Sequence, residues 1–386
     1  MRVLHLSLSD FRNYEAAEVE FSAGRNLVVG RNGQGKTNLV EAIGYFGSLR
    51  SHRVSSDAAL IRSGTDTAVA RMKIGVKDRE AALEFELNRQ APNRARVNGN
   101  AVRPRELMRW FSAVLFAPED LMLVRGEPSV RRRFLDDAVI ARNPAMAGIM
   151  SDFERVVRQR TSLLKSARAS GSRSALDATL GVWNEQLVSS GSRIIHERRA
   201  LVERLRAPLR TQYGLLVEQD HSPNLALAET VPSDERSSDE HNVSRETIEQ
   251  EFVTALDRIR DQEIERAATL VGPHRDDLVL ELNGLPVKGY ASHGESWSFA
   301  LAVKLALAAL LRDESPAGDP VIILDDVFAE LDSGRRNSLM SAVGDYEQVI
   351  VTAAVEKDVP DVEEWRTLRV SAGTVDSLPE SREVRE

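Results

Sequence analysis

Hydrophobic and polar residues alternate from Met1 to Leu8, the period of a strand with one buried face. A second apolar run, Arg25-Asn26-Leu27-Val28-Val29, stops at Gly30. Apolar positions then resume at helical spacing through Asn38-Leu39-Val40-Glu41-Ala42-Ile43, so the segment predicts strand, loop, helix. Alternation returns from Val69 to Leu87, and Val97-Asn98-Gly99-Asn100-Ala101-Val102 carries an Asn-Gly hairpin signal. Residues 113–116 predict another strand. Beyond Pro128 the period changes. Ile149 to Ala167 and Ala175 to Leu216 place apolar residues three and four apart, as helices burying one face do. Ser170-Gly171-Ser172 predicts a turn between them, and the acidic stretch from His221 to Asn242 predicts an exposed loop. An apolar helix from Trp297 to Leu311 precedes two late strands, Val321–Leu324 and Gln348–Val351.

The loop after the second run is Gly30-Arg31-Asn32-Gly33-Gln34-Gly35-Lys36-Thr37, a complete G-x-x-x-x-G-K-T. Its glycines let successive backbone N–H groups turn inward around a triphosphate, and the helix dipole adds positive potential. Lys36 is expected on the β- and γ-phosphates and the Thr37 hydroxyl on Mg²⁺, so the chain is predicted to bind a nucleoside triphosphate with Mg²⁺. Val321-Ile322-Ile323-Leu324 ends in Asp325-Asp326, an apolar strand delivering a carboxylate to the metal. Asp325 is the expected metal residue, through a water, and Asp326 the residue that polarises the attacking water. Alone, a strand-end Asp is as easily a turn cap; paired with the loop, it reads as Walker B. Ala291-Ser292-His293-Gly294-Glu295 opens the Trp297–Leu311 helix and resembles the signature motif of ABC-type ATPases. A hydroxyl, backbone amides and a helix N-terminus make an anion site there, with Ser292 and Gly294 as the expected catalytic contacts. Residues 327–332 fall at the D-loop position, and Thr352 at that of the switch residue.

The ends of the chain narrow the resemblance. Leu8-Ser9-Asp10-Phe11-Arg12-Asn13-Tyr14, Phe116-Ala117-Pro118-Glu119-Asp120-Leu121 and Arg131-Arg132-Arg133-Phe134-Leu135-Asp136 resemble the bacterial RecF family of SMC-related recombination mediators. So do Gly272-Pro273-His274-Arg275-Asp276-Asp277 and residues 324–332. The resemblance implies an α/β ABC-type P-loop ATPase head with a mixed sheet and an inserted compact helical lobe. It adds Arg12 to the nucleotide-binding residues. It implies an ATP-dependent homodimer in which Ser292 and Gly294 act on the partner's nucleotide. The dimer would clamp DNA, single-stranded and duplex, at gap junctions, with slow hydrolysis serving as a switch. RecR is the implied partner, with RecO and RecA in the same repair pathway and SOS response. Asp326 stands where most ABC ATPases have Glu, Glu295 stands where Gln is usual, and no Q-loop glutamine is evident, leaving Glu119 and Asp120 for that region.

Composition sets limits. A formal net charge of −8 argues against nucleic acid only as an average, since DNA contact needs a local patch. Arg94, Arg96, Arg103 and Arg105 form one basic cluster, and Arg50, His52 and Arg53 another; these arginines are the expected DNA contacts. Arg193, Arg198, Arg199, Arg204 and Arg206, diluted by Glu197 and Glu203, read as a helix face making local ion pairs. The absence of cysteine excludes disulfides, zinc fingers and iron–sulfur clusters. No apolar run reaches the roughly 20 residues of a membrane span, because Lys304 interrupts the nearest one. With no secretory segment at Met1, a cytoplasmic, nucleoid-associated protein without a membrane partner is expected. His274 has no second His or Cys near it in sequence and reads as structural. The expected organisation is an ATPase part at 1–125, a helical lobe at 126–268, a second ATPase part at 269–370 and a loose tail at 371–386. A small-molecule P-loop kinase would share the Walker elements but has no need of a signature motif. An SMC-like chromosome-bridging ATPase needs long heptad arms that residues 128–268 do not supply.

Overall fold

The computed structural model describes residues 1–170, 174–217, 219–232, 243–360 and 365–377. They form two compact units. The first combines residues 1–122, Pro208–His221 and the described residues from Ser292 onward; the second combines Leu123–Ala207 and Ser222–Ala291.

In the first unit the alternating runs build an antiparallel sheet. β1 (Arg2–Phe11) lies between β2 (Tyr14–Glu20) and β4 (Thr67–Val76), and β5 (Arg79–Asn88), β6 (Arg94–Val97) and β7 (Asn100–Val102) extend the sheet to six strands. Val97 is paired with Asn100, and Asn98 and Gly99 both take positive φ, the two-residue hairpin that Asn-Gly favours. Its buried face includes Val3, Leu6, Met72, Leu83 and Phe85.

The second sheet of this unit runs in the order β15-β14-β3-β13-β12-β8, with β3 Gly24–Val29, β8 Ala113–Phe116, β12 Val321–Asp325, β13 Gln348–Ala353, β14 Arg366–Ser371 and β15 Thr374–Ser377. All of its pairings are parallel except that of β14 with β15. Every residue of β12 and β13 is buried, as central strands covered on both faces must be. In the ladders Thr352 is level with Asp325 on one side and Val28 on the other. Three C-terminal strand ends therefore open on one edge of the sheet, where open parallel sheets bind ligands. Helix α1 (Lys36–Ser48) leaves that edge, and α8 (His293–Glu314) and α9 (Ser333–Val343) complete the unit. By length and composition alone α8 would pass for a membrane span, which the sequence reading did not anticipate, but 78% of its most apolar window is buried. It is a core helix. Lys304, its interrupting charge, meets Asp120 Oδ1 at 2.7 Å and the Leu115 carbonyl at 2.6 Å.

The second unit holds most of the helices: α3 (Pro128–Arg142), α4 (Met146–Ser170), most of α5 (Ser174–Leu216) and α6 (Arg245–Arg266), with part of α2 (Leu121–Arg125). It also holds a three-stranded antiparallel sheet of β9 (Asn224–Ala228), β10 (Asp277–Leu282) and β11 (Leu285–Pro286), followed by α7 (Val287–Tyr290). Here the structure departs from expectation. Residues 269–291 stay with the second unit because β10 pairs with β9, inside a segment read as loop for its acidic surroundings. The end of α5, from Pro208, belongs to the first unit. Its run of 43 residues matches the helical stretch expected from Ala175 to Leu216. The expected tail begins with a hairpin, since β14 runs through Ser371 and β15 follows at Thr374. Gly171, Ser172, residues 233–242 and residues 378–386, covered by the turn, loop and tail expectations, lie outside the described residues.

Arginines read from sequence as a solvated helix face are partly internal. Arg198 is buried, donating to Asp136 at 2.6 Å and to the Pro273 carbonyl at 2.7 Å, while Arg199 pairs with Glu229 at 2.9 Å. Charge in that run serves packing as well as solubility.

Candidate functional site

The phosphate loop leaves β3 and enters α1 at Lys36. Gly35 has φ 120°, and a Cβ there would come within 2.7 Å of Asn13 Nδ2 and 2.8 Å of the Tyr14 hydroxyl. Only glycine fits both the backbone and the space. Asn13 and Tyr14 hold the loop from below, donating to the carbonyls of Gln34 at 3.0 Å and Gly35 at 2.9 Å. The turn between β14 and β15 holds it from the other side: the Ala372 N–H donates to Gln34 Oε1 at 2.6 Å and the Gly373 N–H to the Gln34 carbonyl at 3.3 Å. Nothing in the local sequence announced this last contact, because it joins residues more than 300 apart.

Lys36 is 3% exposed, yet among the described residues its ammonium has only distant partners, Asn32 Oδ1 at 3.4 Å and Asp326 Oδ1 at 3.8 Å. A buried cation so weakly paired is suited to an anion. Next to it, Thr37 Oγ1 donates to Asp325 Oδ1 at 3.2 Å, and Thr352 Oγ1 donates to the same oxygen at 2.7 Å. Thr352 Oγ1 also accepts the Asp326 N–H at 2.9 Å. Asp326 adopts a left-handed backbone, φ 50° and ψ 21°, which costs roughly 1 kcal/mol and ends the strand abruptly. Burial raises its carboxyl pKa above the usual range and Asp325 adds to that, against the lowering effect of Lys36. Lys36, Thr37, Asp325, Asp326 and Thr352 are thus brought together as the sequence motifs required. The donor set at Thr37 and Asp325 is all oxygen, which suits a hard divalent cation.

Ser292 is the N-cap of α8. Its hydroxyl accepts the Glu295 N–H at 3.2 Å, and the Glu295 carboxylate accepts the Ser292 N–H at 2.7 Å, a reciprocal capping box. The unusual Glu295 therefore has a structural occupation, and hydrogen bonding to Ser292 keeps its carboxyl below the usual range. A Cβ on Gly294 would meet the Arg335 guanidinium at 2.8 Å, so the glycine admits an arginine that the sequence did not flag. Among the described residues, no hydrogen bond or ion pair links Ser292, Gly294 or Glu295 to residues 30–37.

Other expected residues divide. Arg12 is engaged by Glu41, donating to both carboxylate oxygens at 2.8 and 2.7 Å, and by the Ala59 carbonyl. With Asn13, Asn38, Arg53 and Arg89 it lines a cleft of about 600 Å³. Arg53 donates to Asn38 Oδ1 at 2.9 Å, and Arg50 is exposed. Arg94 and Arg96 lie opposite Glu86 and Glu84 on the outer sheet face, at 3.5 and 2.9 Å. Arg103 and Arg105 are exposed and make no ion pair among the described residues. Asp120 caps the Ala117 N–H at 2.9 Å besides holding Lys304, and Glu119 is exposed. His274, in the second unit, is half-buried against Phe153 and bonded to the Thr269 carbonyl at 3.2 Å, consistent with a structural residue. Glu41 was missed, although an acid within the apolar run of α1 is itself a signal that something must pair with it.

Residues 2–375 match the family model described as the RecF/RecN/SMC N terminal domain. A protein of Leifsonia xyli subsp. xyli (strain CTCB07), named DNA replication and repair protein RecF, is 55% identical over 382 residues, covering 97% of this chain and 99% of the relative. The chain belongs to the RecF family. A solved RecF, described as the recombination mediator protein RecF-ATPrS in the RecFOR pathway, superposes with TM-score 0.87 at 27% identity, covering 98% of each chain. An SmcHead bound to the C-winged helix domain of ScpA gives TM-score 0.54 at 16% identity over 99% of this chain and 98% of that one, a likeness of fold. The RecF fold expected from the motifs, an ABC-type ATPase head, is the fold observed.

Proposed function

We propose that this RecF-family chain is an ATP-dependent DNA-binding protein of recombinational repair, working as a switch that dimerises around nucleotide. The observation that carries it is the gathering of Lys36, Thr37, Asp325, Asp326 and Thr352 on one edge of a parallel sheet. Residues 30–36 hold the phosphates through backbone amides and the Lys36 ammonium. Thr37 and Asp325 hold Mg²⁺, which when bound neutralises phosphate charge and fixes the phosphate geometry. Asp326 accepts a hydrogen bond from the attacking water and orients it. Its short side chain and left-handed backbone fit slow turnover.

Among the described residues, Ser292 and Gly294 at the α8 N-terminus make no hydrogen bond or ion pair with residues 30–37 of their own chain, which supports their use in trans on a second copy's nucleotide. ATP then favours the dimer by the contacts that only the closed state makes, and hydrolysis removes them. Arg103 and Arg105, exposed and without an ion pair among the described residues, are better placed for DNA phosphates than Arg94 and Arg96. RecR, RecO and RecA, and gap junctions as the DNA target, follow from family membership. The test is molar mass by light scattering with a non-hydrolysable ATP analogue and Mg²⁺, for wild type, Lys36→Met and Ser292→Arg. A monomer that dimerises only with nucleotide, and in neither variant, supports the switch. A protein that binds nucleotide but never dimerises overturns it.

A further inference from the structure

The hairpin of β14 and β15 reaches back to the phosphate loop. Ser371 pairs with Thr374, so the two strands are joined by Ala372 and Gly373 alone, with φ 48° and 80°. Such turns favour asparagine or glycine at both positions. Ala372 holds a left-handed backbone that a residue with a Cβ keeps only where its surroundings impose it. A two-residue turn leaves the N–H groups of its central residues outside the strand ladder. Here both go to one residue of the loop: Ala372 donates to Gln34 Oε1 at 2.6 Å and Gly373 to the Gln34 carbonyl at 3.3 Å. The approach is close along its length. A Cβ on Gly373 would lie 3.1 Å from the Asn13 carbonyl, and one on Gly30 would lie 2.3 Å from the Val370 carbonyl.

These contacts have a direction. A trans peptide is planar, and its C=O and N–H point opposite ways. The Gln34 carbonyl is drawn toward Asn13 Nδ2, at 3.0 Å, and toward the Gly373 N–H, so the Gly35 N–H of the same peptide faces away from both. With residues 30–36 as the phosphate cradle, that N–H is one of the phosphate donors. Asn13 is held in turn by α1, since its Oδ1 accepts Asn38 Nδ2 at 2.7 Å. The turn brings the second constraint from the other end of the chain.

We propose that the Ala372-Gly373 turn is a positioning element of the nucleotide site, setting phosphate affinity through the orientation of the Gln34–Gly35 peptide. This rests on the reading of residues 30–36 as the phosphate cradle. A peptide fixed beforehand gives up less freedom when the anion arrives, and that preorganisation is the source of the affinity. The peptide serves ADP and ATP alike. The turn therefore governs how tightly nucleotide is held and leaves the hydrolytic step, assigned to Asp326, unchanged. Binding that is equal in ground and transition states moves KM and spares kcat.

The test uses the full chain, titrated calorimetrically with ADP and with a non-hydrolysable ATP analogue. Wild type is compared with Gln34→Met, which keeps the length and removes the acceptor, and with Gly373→Ala, which crowds the Asn13 carbonyl. Ala372→Gly keeps both N–H groups and serves as the conservative variant; Lys36→Met tests the cradle. Gln34→Met and Gly373→Ala are expected to bind both nucleotides roughly fivefold more weakly, with KM raised and kcat kept. Ala372→Gly is expected to bind as wild type does. Hydrogen exchange supplies the second readout: the Ala372 amide is slow in wild type and fast in Gln34→Met. Wild-type affinity in Gln34→Met despite fast exchange overturns the role of the turn, and unchanged exchange overturns the contact itself. A fall in kcat at constant KM also overturns it. If Gly373→Ala does not fold, Gln34→Met, which leaves the turn's backbone intact, decides alone. Full binding by Lys36→Met overturns the cradle, and the turn's role with it.

Discussion

Thr352 is the residue on which two elements of the site depend, and replacing it with valine separates its hydroxyl from its shape. Valine keeps the β-branching and volume, so β13 is undisturbed. What disappears is a donor to Asp325 Oδ1 at 2.7 Å and an acceptor for the Asp326 N–H at 2.9 Å, at a position 0% exposed. A hydrogen bond to an ionised carboxylate contributes about 1.5–3 kcal/mol, and a stranded N–H costs about 1–3 kcal/mol. Better burial of the valine methyl returns about 0.8 kcal/mol. The net expectation is a loss of about 3 kcal/mol from the first unit. Thr352→Ser retains both hydrogen bonds and should lose only about 1 kcal/mol, from the missing methyl. Urea unfolding followed by tryptophan fluorescence is the assay, since Trp110, Trp297 and Trp365 all lie in that unit. A valine variant within about 0.5 kcal/mol of wild type would refute the argument, as would a serine variant no more stable than the valine one.

Two further outcomes are expected. Burial lowers the His274 pKa from 6.5 to about 4, so the folded state favours the neutral ring. Its contribution is fully present above about pH 6.5 and is lost as pH falls through about 4, a decline of about 3 kcal/mol in the second unit. His274→Asn should flatten the stability–pH curve between these values in denaturant titrations, and an unchanged slope would count against it. In the phosphate loop, Gly35→Ala and Gly33→Ala both place a side chain at positive φ, 120° and 82°, but only the former meets Asn13 and Tyr14 within 3 Å. Gly35→Ala should therefore weaken a fluorescent ATP analogue by at least about tenfold more than Gly33→Ala. Equal affinities would show that the contact with Asn13 and Tyr14 does not limit the loop.

Sequence revealed those parts of the site whose chemistry is local. A phosphate loop must be contiguous because its amides surround one ligand, and Asp325-Asp326 must end a buried strand because the strand is what delivers them. Thr352 was legible for the same reason, since its parallel strand ends beside Asp325. Contacts between distant segments were not legible. No local pattern joins Gln34 to Ala372, or Gly294 to Arg335; these depend on tertiary approach. The strand Asn224–Ala228 was hidden by its surroundings, because its pairing with β10 outweighs the acidic flanks that made the region read as loop. Basic clusters gain neighbours that the sequence does not show. Arg94 and Arg96 look available in one dimension, yet strand pairing puts each opposite a glutamate.

Glu41 shows how a single buried charge organises the approach to the site. At 1% exposure it is an expense unless compensated, and its partners come from two segments: Arg12 before the phosphate loop, and Ser51 and, at 4.0 Å, Arg53 after α1. Removing one partner of such a pair commonly costs about 3–5 kcal/mol, whereas well-packed apolar residues often replace the whole pair without loss. Stability alone is therefore a weak reason for this arrangement. Direction is a better one. An apolar contact at position 41 would leave the turn at 51–54 free to rotate, but hydrogen bonds to one carboxylate fix both its position and its facing. The same carboxylate holds Arg12 toward α1, and the Ser51 anchor keeps His52 against Asp325. The motif at 30–37 supplies the phosphate cradle, and the buried acid one helical turn later sets where the neighbouring side chains stand around it.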